Sequence, residues 1–190
     1  FNSACDLYAA AISGSGNISF ATVEHLRKKF PEKPGDVNIR GGLLPNPDLV
    51  EAIKLLKNGQ CLMSGGEWLA DKNGEVSIPF DGSYQIIKRP ENIFSFNKEE
   101  LNSDFNLLTL GRKSEPIPVS NKVFGRRVFL EKGARVEGAT LNSLDGPIYL
   151  AQDSEVMEGS MIRGGFALGE SSKLKLGTKI YGATTVGPFS

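Results

Sequence analysis

The sequence predicts an α/β region followed by a triangular parallel β-solenoid, and three observations carry that reading. Large aliphatic residues stand six apart without a slip from Val156 through Ile162, Leu168, Leu174 and Ile180 to Val186. Small residues recur at a second fixed position of the same repeat. Upstream of residue 112, helix signatures alternate instead with short β-rich runs ended by Gly, Pro or Asn.

The α/β region is expected over residues 1–111. Thr22–Phe30 offers a Thr N-cap and places Val23, Leu26 and Phe30 on one helical face. Val37–Arg40 reads as a strand. "PNPDLVEAIKLLKNG" carries a nearly complete helix signature: Asn46 can cap, Pro47 takes the first helical position, Asp48 follows, and Gly59 stops it. Leu49, Ile53 and Leu56 face inward. "QCLMSGGEWLAD" predicts a hairpin turning on Gly65-Gly66, and "VSIPF" another strand. "FNKEELNSDFNLLTLG" predicts a second helix, with Asn97 and Glu100 as an N-cap pair, Phe96 and Leu101 as a staple, and Gly111 as its stop. Residues 112–122, "RKSEPIPVSNK", have two prolines and no periodicity and read as a linker.

The solenoid is expected over residues 123–190. Leu130 and Val136 set the six-residue pattern, "SLDGP" (Ser143–Pro147) interrupts it, and Leu150 restarts it. In those nine hexads the fifth position holds Ala134, Thr140, Ser154, Ser160, Phe166, Ser172, Thr178, Thr184 and Ser190. All but Phe166 are small, a second regularity that accidental spacing does not produce. The physical reading is one short strand and one corner per hexad, and three hexads to an 18-residue coil. Coils stack at the ~4.8 Å strand spacing. The aliphatic fills the interior, and the small residue sits near a corner where a larger one would strike the next coil. Three buried aliphatics cannot offset the entropy of ordering 18 residues, so coils are stable only as a stack.

Composition excludes several function classes. The 22 basic and 22 acidic side chains balance, which argues against a nucleic-acid binder. Cys5, Cys61 and His25 are too few and too scattered for a Cys/His zinc site. Sparse cysteine fits a reducing cytoplasm. No apolar run approaches the ~18 residues that span a bilayer. The chain begins Phe1-Asn2-Ser3 and stops inside its repeat, so it reads as a fragment, with further coils or a partner prism expected on its last face.

The hexad pattern resembles the hexapeptide-repeat, left-handed β-helix family over roughly Val123–Ser190. Members of that family are typically trimeric transferases, often acyltransferases using an acyl-CoA. Their usual catalytic histidine has no counterpart in the repeat, since His25 lies outside it. The match becomes closer with "RPENIFSFNKEELNSDFNLLTLGRKSEPIP", "NSLDGPIYLAQDSEVMEGSMIRGGFALGESSKLKLGTKIYGATTVGP" and, upstream, "LLPNPDLVEAIKLL". Together these resemble a bacterial family of sugar nucleotidyltransferases, described as alternative forms of the bifunctional N-acetylglucosamine-1-phosphate uridyltransferase/glucosamine-1-phosphate acetyltransferase of UDP-GlcNAc biosynthesis.

That resemblance implies a partial nucleotidyltransferase-like α/β domain followed by a left-handed parallel β-helix. It also implies NTP and sugar-1-phosphate substrates, Mg²⁺, and a homotrimer built through the β-helix. The chain departs from the family in two places. "ISGSGN" (Ile12–Asn17) lacks the Arg and Lys of the usual phosphate loop. Phe1–Ala4 stands where relatives carry Thr-Arg-Pro.

Four cations are the candidate substrate-binding residues, each with a structural alternative. Arg89 could anchor a phosphate or pair with a surface carboxylate. Arg112 and Lys113 could bind phosphate or serve the helix end, where cations complement the macrodipole. Arg163 could face solvent or a junction. Met157 and Met161 read as packing residues, and Glu99-Glu100 as part of a helix start. No catalytic residue can be named, and nucleotidyl transfer needs no nucleophilic side chain. Two other readings stand beside it: a non-catalytic domain with a trimerising solenoid, and an acyltransferase whose active coils lie beyond Ser190.

Overall fold

The computed structural model describes residues 37–190 and, before them, only Glu24 and Lys28. The expectations for Thr22–Phe30, Ile12–Asn17, Phe1–Ala4, Cys5 and His25 lie outside the described residues. The chain divides into two compact units, one ending at Arg89 and one formed by Pro90–Ser190. Among the described residues no helix is long and apolar enough to cross a membrane.

In the first unit the chain runs β1 (Asn38–Ile39), β2 (Leu43–Leu44), α1 (Pro47–Lys54), β3 (Gln60–Ser64), β4 (Glu67–Lys72), β5 (Val76–Pro79) and β6 (Gln85–Ile86). Four strands form a mixed sheet in the order β1-β4-β3-β5, and β2 pairs with β6 as a separate ribbon. The β3–β4 hairpin turns on Gly65 and Gly66, at φ +56° and +83°. Two successive positive φ angles are what a two-residue primed turn requires. Helix α1 begins as its sequence dictates: the Asn46 side chain accepts the Leu49 N–H at 2.9 Å, with Pro47 next. It ends at Lys54, so Gly59 closes the following turn rather than the helix. Leu49, Ile53 and Leu56 nevertheless reach the core, packed with Leu62, Leu69, Ala70 and Phe80.

The second unit opens with α2 (Glu91–Thr109), which starts six residues before the expected Asn97 and has Pro90 at its N-cap with no side-chain cap. Asn97 and Glu100 therefore form no capping pair, and Glu99-Glu100 lies inside the helix. Proline's fixed φ explains the earlier start, because it pre-sets the helical backbone at Pro90. Gly111, at φ +71°, follows the C-terminus as expected.

Eleven short strands follow: β7 (Lys122–Phe124), β8 (Val128–Leu130), β9 (Arg135–Val136), β10 (Thr140–Asn142), β11 (Ile148–Leu150), β12 (Glu155–Val156), β13 (Met161–Arg163), β14 (Phe166–Leu168), β15 (Lys173–Leu174), β16 (Lys179–Tyr181) and β17 (Thr184–Val186). They sort into three parallel sheets, β7-β10-β13-β16, β8-β11-β14-β17 and β9-β12-β15. Every third strand is stacked on the last, a β-helix-like region. Partners stand 18 apart where the hexads are unbroken, as in Ile148↔Phe166, Glu155↔Lys173 and Met161↔Lys179. The interior is lined by Leu130, Val136, Leu141, Ile148, Leu150, Val156, Ile162, Phe166 and Leu168, all buried. In the last coil Ile180 and Val186 are only partly buried.

The small fifth position belongs to two of the three corners. One column stacks Ala134, Ser154, Ser172 and Ser190; a second stacks Ala139, Ser160 and Thr178. Ala139 takes the place of the expected Thr140, because the step from Val136 to Leu141 is one residue shorter than that from Val156 to Ile162, which sets Thr140 opposite Met161. The buried serines satisfy their hydroxyls on backbone: Ser154 Oγ donates to Ala151 O at 2.7 Å and Ser172 Oγ to Gly187 O at 2.6 Å. The third column holds Val128, Ile148, Phe166 and Thr184. Phe166 is thus no exception, since its whole column accepts volume.

The interruption at Ser143–Pro147 protrudes less than expected: only Leu144 and Asp145 are exposed, while Ser143, Gly146 and Pro147 are buried. Residues 114–121 are irregular yet tied to the first coil. The Glu115 N–H donates to Leu130 O at 2.9 Å, Ser114 Oγ accepts the Leu130 N–H at 2.9 Å, and Asn121 bridges Val136 O and the Ala139 N–H. Ile117 packs on the core. The expected linker therefore forms the first layer of the stack.

Helix α2 covers the outer face of the β8-β11-β14-β17 sheet, whose outward ladder is Phe129, Tyr149, Ala167 and Thr185. Leu101, Phe105 and Leu108 meet Tyr149, Phe166 and Ala167 around a small apolar groove. Thr185 Oγ1 donates to Asn97 Oδ1 at 2.9 Å at one end. At the other, Arg127 donates to Asn102 and Asn106 and lies over the Phe105 ring at 5.2 Å.

Candidate functional site

Two groups of charged side chains stand out, one in each unit. In the first unit, Arg40 follows directly on β1, and the Gly41-Gly42 turn brings the chain back into β2. Gly42 is needed there because a Cβ would meet Ile87 O at 2.6 Å. The turn sets Arg40 beside the start of β4 and the residues after β6. Arg40 Nη1 is paired with Glu67 Oε2, and Lys88 Nζ reaches Glu67 Oε1 at 3.0 Å. Arg40 also donates to Trp68 O at 3.3 Å. Hydrogen bonds from Arg40 and then Lys88 hold the Glu67 carboxyl below its ordinary range. Arg89 follows directly and is exposed.

In the second unit, Arg112 ties the end of α2 to the first coils. Its Nη1 donates to Leu108 O at 2.9 Å, its Nη2 donates to Glu131 Oε1 at 2.6 Å, and its guanidinium lies 5.3 Å from the Phe129 ring. Phe129 stacks on Tyr149 with centroids 5.8 Å apart. The Tyr149 hydroxyl also donates to Glu131, which accepts the Gln152 N–H at 3.2 Å as well. Burial alone would raise the Glu131 carboxyl, but the bonds from Tyr149 and Arg112 outweigh it and hold the group low. Burial and then the Glu131 carboxylate push the Tyr149 hydroxyl up to about 12.

The four cations singled out in the sequence are dispersed. Lys113 is exposed beside Arg112. Arg163 extends from β13, on the sheet next to the one beneath Arg112, and its Nε donates to Asp145 Oδ2 at 3.0 Å. Arg89 closes the other unit. Met161 is 53% exposed on the same sheet as Arg163, so it is not the packing residue expected. Arg40, Glu67 and Lys88 belong to no motif of the sequence. Their sequence signal is weak: an Arg before Gly-Gly, and a Lys preceding the Arg89 already noted. Glu131 and Tyr149 lie across the Ser143–Pro147 interruption, where stacked partners stand 20 apart as in Tyr149↔Phe129, so the regular 18-residue period does not mark that they meet.

Among the described residues no three His, Cys, Asp or Glu side chains converge as a metal site. Mg²⁺ in phosphoryl chemistry is held largely by the substrate's own phosphates.

Residues 8–113 match the model of the sugar nucleotidyl transferase family. The matched segment takes in Ile12–Asn17, the whole described part of the first unit, α2, Arg89, Arg112 and Lys113; Arg163 and the coils lie outside it. No curated protein and no solved structure matches the chain. A match over more than half the chain decides the family: the protein belongs to the sugar nucleotidyl transferases.

Proposed function

We propose that the chain transfers a nucleotidyl group from an NTP to a sugar-1-phosphate. The observation that carries this reading is the family match over residues 8–113. A phosphate oxygen of the sugar-1-phosphate attacks the α-phosphorus of the NTP. The bond from that phosphorus to the oxygen bridging toward the β-phosphate breaks, and pyrophosphate leaves. The protein's task is to position the two anions and offset their charge, which cationic side chains do without any nucleophile.

Arg89, Arg112, Lys113 and Arg163 are the proposed substrate-binding residues. Arg112 is already held by Glu131 and the helix end, and Arg163 by Asp145, so each would exchange a partner to take a phosphate. Mg²⁺ is proposed as the companion of the triphosphate. The coils are proposed to be a left-handed hexapeptide-repeat β-helix that assembles the chain as a homotrimer. Three parallel sheets with an 18-residue period support the β-helix reading. A cytoplasmic setting is proposed from the sparse cysteines, of which Cys61 is free and buried. A coupled pyrophosphate-release assay over several NTP and sugar-1-phosphate pairs tests the reaction. Release that requires both substrates is expected. No turnover with any pair would overturn it and favour the non-catalytic reading.

A further inference from the structure

We propose that Arg40 and Lys88 form a binding site for the phosphoanhydride end of the nucleotide, with Glu67 as the internal counter-ion that a phosphate displaces. The identification of the anion as a phosphoanhydride rests on the proposed function; the charge geometry does not. Two cations from different parts of the fold, the residue after β1 and the residue pair after β6, converge on the two oxygens of one carboxylate. Two positive side chains thus meet on one carboxylate, and Arg89 is the next residue in the chain. The side chains remain reachable: Arg40 is 31%, Glu67 38% and Lys88 56% exposed.

Gly41 follows Arg40 in the chain, and a Cβ at Gly41 would meet nothing within 4 Å. Stability does not explain the arrangement, because ion pairs this exposed contribute little to folding. A phosphate group carries more charge than a carboxylate and presents oxygens in several directions. It can take the Arg40 fork and the Lys88 ammonium together, where Glu67 spends one oxygen on each.

Titration calorimetry of the protein with inorganic pyrophosphate tests the site, with fluorescence of the single tryptophan, Trp68, as a second readout. Binding is expected, weakening as salt rises. Arg40→Ala and Lys88→Gln should each weaken it about tenfold, the loss of one charged hydrogen-bond partner. Glu67→Gln removes the competing charge and should tighten it several-fold. That last gain guards against misfolding, since a damaged fold does not bind better. No pyrophosphate binding by the wild-type protein, or identical affinity in the three variants, overturns the site. Pyrophosphate binding without turnover on any substrate pair supports the site while overturning the reaction. Turnover unaffected by Arg40→Ala and Lys88→Gln overturns the site while leaving the reaction.

Discussion

Substituting Ser172 by valine tests the corner rule of the coils directly. Ser172 is 0% exposed and stacked between Ser154 and Ser190 in the all-small column. Its Oγ donates to Gly187 O at 2.6 Å and accepts the Ser190 N–H at 3.0 Å. Valine removes both bonds; leaving buried partners unmet costs about 1–3 kcal/mol. Ser190 is exposed and its N–H can turn to water, which places the loss toward the lower end. The added methyl group meets stacked coils above and below, and overpacking a fixed core costs about 1–3 kcal/mol. The sum is about 2–5 kcal/mol. For a unit of this size it should lower Tm by on the order of 10–40 °C. Thermal and urea unfolding followed by far-UV circular dichroism measure it. Ser172→Ala, which loses only the hydroxyl, should fall about midway. Thr184→Val is the control, because its column already holds Val128, Ile148 and Phe166, and it should stay within about 0.5 kcal/mol of wild type. Equal costs for Ser172→Val and Thr184→Val would refute the reading that corners differ in the volume they accept.

Three further outcomes follow from the second unit. Burial pushes the Asp104 carboxyl up to about 6. A folded pKa above the unfolded value of about 4 means that this group's stabilisation is complete below pH 4 and lost as pH rises through 6. Asp104→Asn should flatten the urea midpoint between pH 4 and 8 and stabilise the protein at pH 8 by on the order of 2 kcal/mol; an unchanged pH profile would count against the burial. Arg127→Ala removes the bonds to Asn102 and Asn106 and the contact with Phe105. It should cost about 1–2 kcal/mol and speed hydrogen exchange along α2. Arg127→Lys should recover less than half, because lysine lacks the fork. Gly146→Ala would set a Cβ 2.5 Å from the Gly165 backbone nitrogen, and should destabilise the coils by about 1–3 kcal/mol in the same unfolding assay.

The parts of the fold legible in the sequence are those set by local rules. Asn46-Pro47 fixed the start of α1 through one side-chain cap, and Gly65-Gly66 fixed a hairpin through two positive φ angles. The hexads exposed the coils because stacking repeats one steric demand at each turn. The less legible parts depend on partners far along the chain. Nothing local to Phe96–Leu101 shows that the helix begins at Glu91, or that Asn97 receives the Thr185 hydroxyl. The β2–β6 ribbon joins residues about 40 apart through two pairs, too few to leave a periodic trace. The charged groups were least legible. Arg40, Glu67 and Lys88 come from three separate elements, and each alone has the pattern of an ordinary surface residue.

The boundary between the units shows why a segment can belong to one family and pack with another part of the chain. The family match runs to residue 113, yet the compact unit that holds α2 begins at Pro90. Sequence similarity records common ancestry, whereas compactness records where apolar surface is buried. Leu101 and Leu108 bury theirs against the coils, and Arg112 and Arg127 fasten the helix at its C-terminal half. Without the coils, α2 would expose that apolar stripe to solvent. A polypeptide cut at residue 113 should therefore carry the whole family signature and still leave α2 without the surface it folds against. Circular dichroism should show such a piece with less helix than the intact chain contains, and full helicity in it would overturn the dependence of α2 on the coils.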